Sequence, residues 1–327
     1  MNDKVKKAIA DIDKKWGKGQ AIVSLTEKDA TVKRCSSGSL ALDIALGGGY
    51  PYGRIIEIFG PESSGKTTLV LSAMVQAQKQ YPDKMVAYID AEFAFDPVYA
   101  ENLGLDLSPD KFTFAQPEHG EQVFDVVEEL LKTGEFSFIA IDSVAAMIPR
   151  AELEGEIGES KMGLHARLMS QGMRKLVGLI SKSNTIVYFT NQLRDNIGVI
   201  YGNPETTTGG NALKFYASQR LDVRKTQTLK DGDASYANNI RITVKKNKVA
   251  PPFAKAETTI EFGTGISMER EIVTLAIDNG LISKSGSWLT YGKLKLQGVD
   301  QMVEVLKEDL TMKEELTNKI KEIYNIE

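Results

Sequence analysis

Residues 55–71 read IIEIFGPESSGKTTLVL. The run 55–59 is short and apolar, with the character of a strand. Residues 60–67, GPESSGKT, match G-x-x-x-x-G-K-S/T, and a helix is expected over 67–78. Strand, glycine-rich turn and helix in that order build a phosphate loop. The glycines let backbone amides turn inward on phosphate oxygens. Lys66 neutralises β/γ charge, Thr67 offers a hydroxyl to Mg2+, and the helix N-terminus adds a favourable dipole. Gly60, Pro61, Glu62, Ser63, Ser64, Gly65, Lys66, Thr67 and Thr68 are therefore assigned to nucleotide binding. The bland alternative is a glycine-rich turn without a ligand.

Outward from this loop, strands alternate with helices. Strands are expected at 85–89, 136–141 and 185–190, and helices at 120–132 and 164–181. That order implies a mostly parallel twisted sheet flanked by helices, with ligands bound beyond the carboxyl ends of the strands. Those ends carry suggestive residues. FIAID ends in Asp142, a carboxylate placed to hold a metal directly or through water. Glu92 closes YIDAE and could orient and deprotonate water, although a helix N-cap or a surface acid reads equally well. Gln192, after TIVYFT, has an amide placed to sense a γ-phosphate.

From about 212 to 262 the texture is β-rich, in LKFYASQRLDVRK, NIRITVKKNK and TTIEF, with the polar turn or loop TLKDGDASYAN between them. The last 60 or so residues read as a small α/β domain. Its final helix carries Val303, Leu306, Leu310, Leu316, Ile320 and Ile323. Ahead of the core, Val5, Ile9, Ile12 and Trp16 make one helical face, to be packed on the chain's own core or on a neighbouring subunit.

The chain has 327 residues, enough for one large domain and a smaller one. Hydrophobic residues make up 42% and charged residues 26%, which excludes collagen-like and largely disordered chains. A single cysteine, Cys35, excludes an internal disulfide and is read as structural. His119 and His165 lie too far apart for a zinc pattern beside one cysteine. No stretch approaches the roughly 20 apolar residues of a membrane span, and MNDKVKKAIADIDKKW lacks a secretory h-region. A cytoplasmic protein without membrane partners is expected. Net charge is −4, which argues weakly against a surface coated in positive charge but leaves local basic patches open.

Four longer stretches carry a family resemblance. They are SSGSLALDIALGGGYPYGRIIEIFGPESSGKTTL, IDAEFAFDPVYA, FIAIDSVAAMIPRAELEGEIGESKMGLHARLMSQGMRKL and TNQLRDNIGVIYGNPETTTGGNALKFYAS. The chain resembles the bacterial-type RecA recombinases over nearly its whole length, and generic P-loop enzymes lack the last two stretches. The resemblance implies an α/β P-loop NTPase core of RecA type, with a short N-terminal helical segment and a small α/β C-terminal domain. The expected boundaries are 1–32, 33–265 and 266–327.

It also implies roles, residue by residue. Lys66, Glu92 and Gln192 would be catalytic, with Glu92 the carboxylate base and Gln192 the γ-phosphate sensor. Tyr99 would stack on adenine, with Asp96 near the base. Thr67 and Asp142 would hold Mg2+, and Lys246 and Lys248 would reach a neighbour's ATP. Residues 154–163 and 194–211 would be two DNA-binding loops. Met162 and Ile197 would wedge at base steps, beside Gly163, Arg167, Gly198 and Tyr201; Ser170, Arg174, Gly209, Gly210 and Asn211 would contact phosphates. Lys214, Phe215 and Arg220 would belong to a subunit interface.

The residues support part of this by themselves. NPETTTGGN can close a short-side-chain backbone on phosphates without many charges. The basic run 240–255 suits a polyanion, or is a solvated edge strand guarded by lysines. The first loop is awkward, with Glu152, Glu154, Glu156 and Glu159 against Lys161; these acids are expected to pair with bases on a neighbour. Phe93 stands where the family usually has His, and Phe95 where it has Leu; an apolar ring beside Glu92 is expected to raise its pKa by desolvation. The tail KEIYNIE lacks the long acidic extension of many members, so restraint on DNA binding is expected to be weaker.

The reading is a DNA-dependent ATPase that forms filaments on single-stranded DNA and exchanges strands with homologous duplex. By resemblance it also promotes self-cleavage of a LexA-type repressor. Two alternatives stay open: a ring-forming helicase on the same core, and a filament scaffold with little hydrolysis.

Overall fold

The structure is a computed structural model that describes residues 2–17, 21–22, 32–156, 163–195 and 204–326. The chain divides into two compact units, residues 1–33 and 34–327. In the first, helix α1 (Asp3–Trp16) starts where the Asn2 side chain accepts from the Lys4 amide (3.0 Å), and ends at Gly17.

The second unit begins with β1 (Arg34–Cys35), α2 (Leu40–Leu46) and β2 (Tyr50–Pro51). The alternating core then runs β3 (Ile55–Gly60), α3 (Lys66–Gln80), β4 (Met85–Asp90), α4 (Pro97–Asn102), β5 (Phe112–Ala115), α5 (Gly120–Thr133) and β6 (Phe136–Asp142). It continues through α6 (Arg150–Leu153), α7 (Leu164–Ser183), β7 (Ile186–Asp195), β8 (Glu205–Thr207) and α8 (Ala212–Tyr216). An antiparallel run follows: β9 (Gln219–Asp231), β10 (Ala234–Asn247), β11 (Lys255–Glu261) and β12 (Gly265–Ile266).

The main sheet has the order β12-β11-β10-β9-β3-β7-β6-β4-β5. From β9 to β5 every pairing is parallel, and from β9 to β12 every pairing is antiparallel. Both faces are covered, so β3, β4 and β6 are buried at nearly every position rather than every second one. Ile56 and Ile58 of β3 pack with Leu69, Leu71 and Met74 of α3 on one face. Ile55 joins Val123 and Phe124 of α5 and Met173 and Leu176 of α7 on the other. Burying one such aliphatic side chain contributes roughly 1.5–3 kcal/mol.

Register sets the site. Gly60 stands opposite Gln192 across β3 and β7, and Asp90 opposite Asp142 across β4 and β6. The residues at the carboxyl ends of the strands are thereby brought into one row.

The last segment is built from α9 (Met268–Asp278), the meander β13 (Ser283–Ser285), β14 (Trp288–Tyr291), β15 (Leu294–Gln297), then α10 (Val299–Glu308) and α11 (Leu310–Tyr324). Its core gathers Ile272, Val273, Leu289, Val303, Leu306, Leu316 and Ile320.

Three expectations are corrected. The final helix is two helices, because the Asp309 carboxylate accepts from the Met312 amide (2.9 Å) and starts a new one; Leu310 and Ile323 are exposed rather than core. Residues 228–238 are mostly strand, with the hairpin turning at Gly232 and Asp233. The start of LKFYAS is a short helix that buries Leu213 and leaves Phe215 exposed.

Candidate nucleotide site and its surroundings

The phosphate loop leaves β3 at a point where only glycine fits. A Cβ on Gly60 would stand 2.2 Å from the Val223 carbonyl oxygen of neighbouring β9. Gly65 caps α3 at φ 94°, and a Cβ there would meet Ile260 Cδ1 at 2.5 Å. The unpaired amides of the first turn of α3 therefore open onto the loop. Lys66 Nζ folds over it and donates to the carbonyls of Gly60 (3.1 Å) and Pro61 (2.7 Å). Burial lowers the Lys66 pKa, against the pull of Asp142, Glu92 and Glu62.

Asp142 is buried and held by three hydroxyls. Tyr88 (2.6 Å) and Thr67 (3.2 Å) donate to Oδ2, and Thr190 donates to Oδ1. Desolvation raises its pKa, while the Thr190 and Tyr88 hydrogen bonds oppose the shift. Tyr88 and Thr190 had no signal in the sequence, because strand periodicity marks them simply as interior. Among the described residues no group of three or more His, Cys, Asp and Glu could hold a metal. The Thr67 hydroxyl and the Asp142 carboxylate are hard oxygen donors, a set that suits Mg2+, which keeps several waters and leans on nucleotide oxygens.

Glu92 is exposed next to this pair. Its Oε1 accepts from Gln192 Nε2 (2.9 Å) and from the Ser143 hydroxyl. The two residues suggested by strand ends 100 positions apart thus meet directly. Glu92 is not a helix cap: Asp96 caps α4, accepting from the Tyr99 amide (3.0 Å). The segment after β4 is wrapped around the buried Asp90 carboxylate, which accepts from the amides of Ala94 (3.3 Å) and Phe95 (3.1 Å) and from Gln116 Nε2 (3.1 Å). Phe93 sits at φ 57° and is 60% exposed, and the partners found on the Glu92 carboxylate are the polar groups of Ser143 and Gln192.

A cleft of about 350 Å³ adjoins the loop, lined by residues 63–68, Tyr99, Asn238, Ile240, Ile260, Phe262 and Gly263 among others. Tyr99 OH lies 2.8 Å from Thr68 Oγ1, which fixes one wall. Asn238, Ile240, Ile260 and Phe262 were missed from the sequence. They come from the antiparallel side of the sheet, and only the β9–β3 pairing brings that side to the loop.

Further along the same edge, α7 carries Arg167, Ser170 and Arg174 on one face, with Leu168, Met169 and Met173 buried behind them. Gly209 (φ 82°) and Gly210 (φ 71°) lie against this helix. Added Cβ atoms would meet Met169 Cγ at 3.1 Å and Ala166 Cβ at 2.8 Å. Gly209 and Gly210 thus lie at the N-terminal half of α7, whose N-cap is Gly163, while Asn211 caps α8. Met162, Ile197, Gly198 and Tyr201 lie outside the described residues. Glu154 pairs with Arg150 of its own chain (2.7 Å).

Lys246 and Lys248 are turned towards α8. Lys246 Nζ donates to the carbonyls of Lys214 (2.7 Å) and Phe215 (3.0 Å), and Lys248 Nζ to that of Phe215 (3.3 Å). Burial lowers the Lys246 pKa, and Lys248 and Arg220 add to the effect. Lys214 Nζ donates to Thr206 Oγ1 (2.9 Å), and Arg220 is paired with buried Glu57. Phe215 is 71% exposed. Cys35 is buried, its pKa pushed up to about 12 by desolvation, as fits a structural thiol.

Fold and loop together define a P-loop nucleotide-binding protein whose parallel sheet is extended by an antiparallel run. Two family models match, the RecA N-terminal domain over residues 3–267 and the RecA C-terminal domain over 270–325. Protein RecA of Porphyromonas gingivalis is 53% identical over 320 residues, 96% of this chain and 92% of the relative. Protein RecA of Clostridium novyi is 50% identical over 330 residues, 99% of this chain and 93% of the relative. Protein RecA of Chlorobaculum tepidum is 52% identical over 320 residues, 97% and 91%. The chain belongs to the RecA family of recombination and DNA-repair proteins. Among the described residues, no helix is long and apolar enough to cross a membrane.

Proposed function

We propose that the chain is a DNA-dependent ATPase that assembles as a filament on single-stranded DNA and exchanges strands with a homologous duplex. The observation that carries this reading is the 2.9 Å contact between Glu92 and Gln192 at the mouth of a phosphate loop, in a chain of this family. Gly60 to Thr68 bind the triphosphate, Tyr99 flanks the base, and Thr67 and Asp142 hold Mg2+. When bound, the metal neutralises phosphate charge. Glu92 takes a proton from the attacking water. Gln192, now on Glu92, is drawn to the γ-phosphate when nucleotide binds, and so frees the carboxylate for its role. Lys246 and Lys248 leave the α8 carbonyls to reach a neighbour's nucleotide, across an interface that includes Lys214, Phe215 and Arg220.

DNA is held mainly through phosphates, by Gly163, Arg167, Ser170, Arg174, Gly209, Gly210 and Asn211. Sequence is read by base pairing rather than by protein. The division into a packing segment (1–32), an ATPase core (33–265) and a C-terminal domain (266–327) belongs to the same proposal, as does a cytosolic setting. So does stimulation of LexA-type repressor self-cleavage, which incubation of the filament with such a repressor would score directly.

The test is ATP hydrolysis with and without single-stranded DNA, alongside Glu92→Gln. DNA-stimulated turnover should fall by about 10²- to 10⁴-fold in the variant, while ATP-dependent DNA binding persists. Hydrolysis indifferent to DNA in the wild type would refute the proposal.

A further inference from the structure

Asn191 stands beside Gln192 and has had no part in the reading so far. It is fully buried in the middle of β7. Its Oδ1 accepts from the backbone N–H of Gln192 (2.9 Å) and from the Thr208 hydroxyl. Its Nδ2 donates to a Glu57 carboxylate oxygen (2.9 Å) and to the Thr208 carbonyl (3.1 Å). Both donors and both acceptor sites of the amide are therefore filled. Glu57 is itself fully buried, and its other oxygen is paired with Arg220, whose guanidinium lies 4.8 Å over the Phe59 ring. A buried carboxylate needs such a partner.

This set forms an unbroken chain of contacts. At one end it continues from Gln192 to Glu92. At the other it reaches Thr208, the residue after β8. That strand pairs antiparallel with the far end of β7, at Leu193↔Thr207 and Arg194↔Thr206, off the main path of the sheet. The two strands form a ribbon rooted at Asn191 and Thr208. Its flank is clamped by Arg224, whose two terminal nitrogens each lie 2.7 Å from an oxygen of Glu205. A shift of Gln192 that reaches its backbone moves the N–H that Asn191 accepts from. Asn191 has no spare hydrogen-bonding site with which to absorb the shift, so the root of the ribbon must follow. Buried polar sets of this kind hold one arrangement or exchange it for another, since a half-made state strands polar groups.

We propose that Asn191 is a positioning residue that couples Gln192, on the nucleotide side, to Thr208 at the root of the second loop and to the Glu57–Arg220 pair beside Lys214. The proposal rests on the reading of Gln192 as a nucleotide contact and of residues 194–211 as a DNA loop.

The test measures ATP hydrolysis with and without single-stranded DNA for full-length Asn191→Ala, Thr208→Val, Thr208→Ser and the Asn191→Ala/Thr208→Val double variant. Binding of a fluorescent ATP analogue and thermal melting are read on the same samples. DNA stimulation should drop at least about fivefold in Asn191→Ala and in Thr208→Val, while Asn191→Ala still binds the analogue. Thr208→Ser keeps the hydroxyl and should keep the stimulation. The double variant should be no worse than either single one, because both break the same link. Undiminished stimulation in Thr208→Val, an equal loss in Thr208→Ser, or additive losses in the double variant would overturn the proposal. If Asn191→Ala does not fold, Thr208→Val against Thr208→Ser decides. A wild type indifferent to DNA sinks the functional reading itself, whereas a stimulated wild type with equally stimulated variants sinks only this coupling.

Discussion

Gly60 meets two demands at one position. It ends the strand that feeds the phosphate loop, and it lets that strand approach β9 so closely that a methyl group would overlap the Val223 carbonyl at 2.2 Å. Backbone cannot retreat as a flexible side chain can. Gly60→Ala should therefore cost at least about 2 kcal/mol in urea unfolding and weaken nucleotide binding as well. Unchanged unfolding would show that β3 and β9 can part. The two aromatic departures differ in kind. Phe95 packs against Tyr88 (ring centroids 4.8 Å), Phe114 (5.0 Å) and Phe112 (5.8 Å), so a larger side chain than leucine fills an aromatic cluster behind the site. Nothing in the structure explains Phe93.

At the scale of elements, the joint between α9 and α2 carries a titratable contact. Glu271 of α9 is buried, and accepts from the Ser39 hydroxyl (2.6 Å) and the Ala41 amide (3.3 Å) at the start of α2. Desolvation pushes its pKa up to about 7 from an ordinary 4.5, with Asp43 adding to the shift and the Ser39 hydrogen bond opposing it. Between those values the folded chain holds a proton that the unfolded chain has released. Stability is thus lost as pH rises through this window, and does not recover above it. Glu271→Gln cannot ionise. Its melting temperature relative to wild type should rise by a few degrees between pH 5 and pH 8. A difference that stays constant with pH would mean that Glu271 keeps one protonation state throughout. The long hairpin shows a further effect at this scale. Its polar tip reads as a loop by composition, but Thr228 Oγ1 donates to Asn238 Oδ1 (2.9 Å) and the ladder runs on to Asp231 and Ala234. Cross-strand pairing overrode local preference.

For the whole molecule, the exposed Phe215 ring is the point at which one chain's account ends. It adds little to its own core, and stands beside Lys214 on α8, the helix whose carbonyls Lys246 and Lys248 donate to. Phe215→Ala should leave unfolding within about 0.5 kcal/mol of wild type. In sedimentation with ATP and single-stranded DNA, the large assemblies should be replaced by small ones. Intact filaments in the variant would remove Phe215 from the proposed interface.

The glycine-rich loop and the strand-end acids were legible in the sequence because they are local patterns. A glycine-rich turn between a strand and a helix, and an acid closing an apolar strand, follow from backbone geometry within a few residues. The break at Asp309 and the helix at 212–216 were not legible, since one capping carboxylate and one buried leucine decide them. Only the tertiary structure could bring Phe262 and Asn238 to the cleft, Gln192 onto Glu92, and Asn191 between Glu57 and Thr208. Those meetings depend on the order and register of strands distant along the chain. That order is set by burying both faces of the sheet together, which no short stretch of sequence contains.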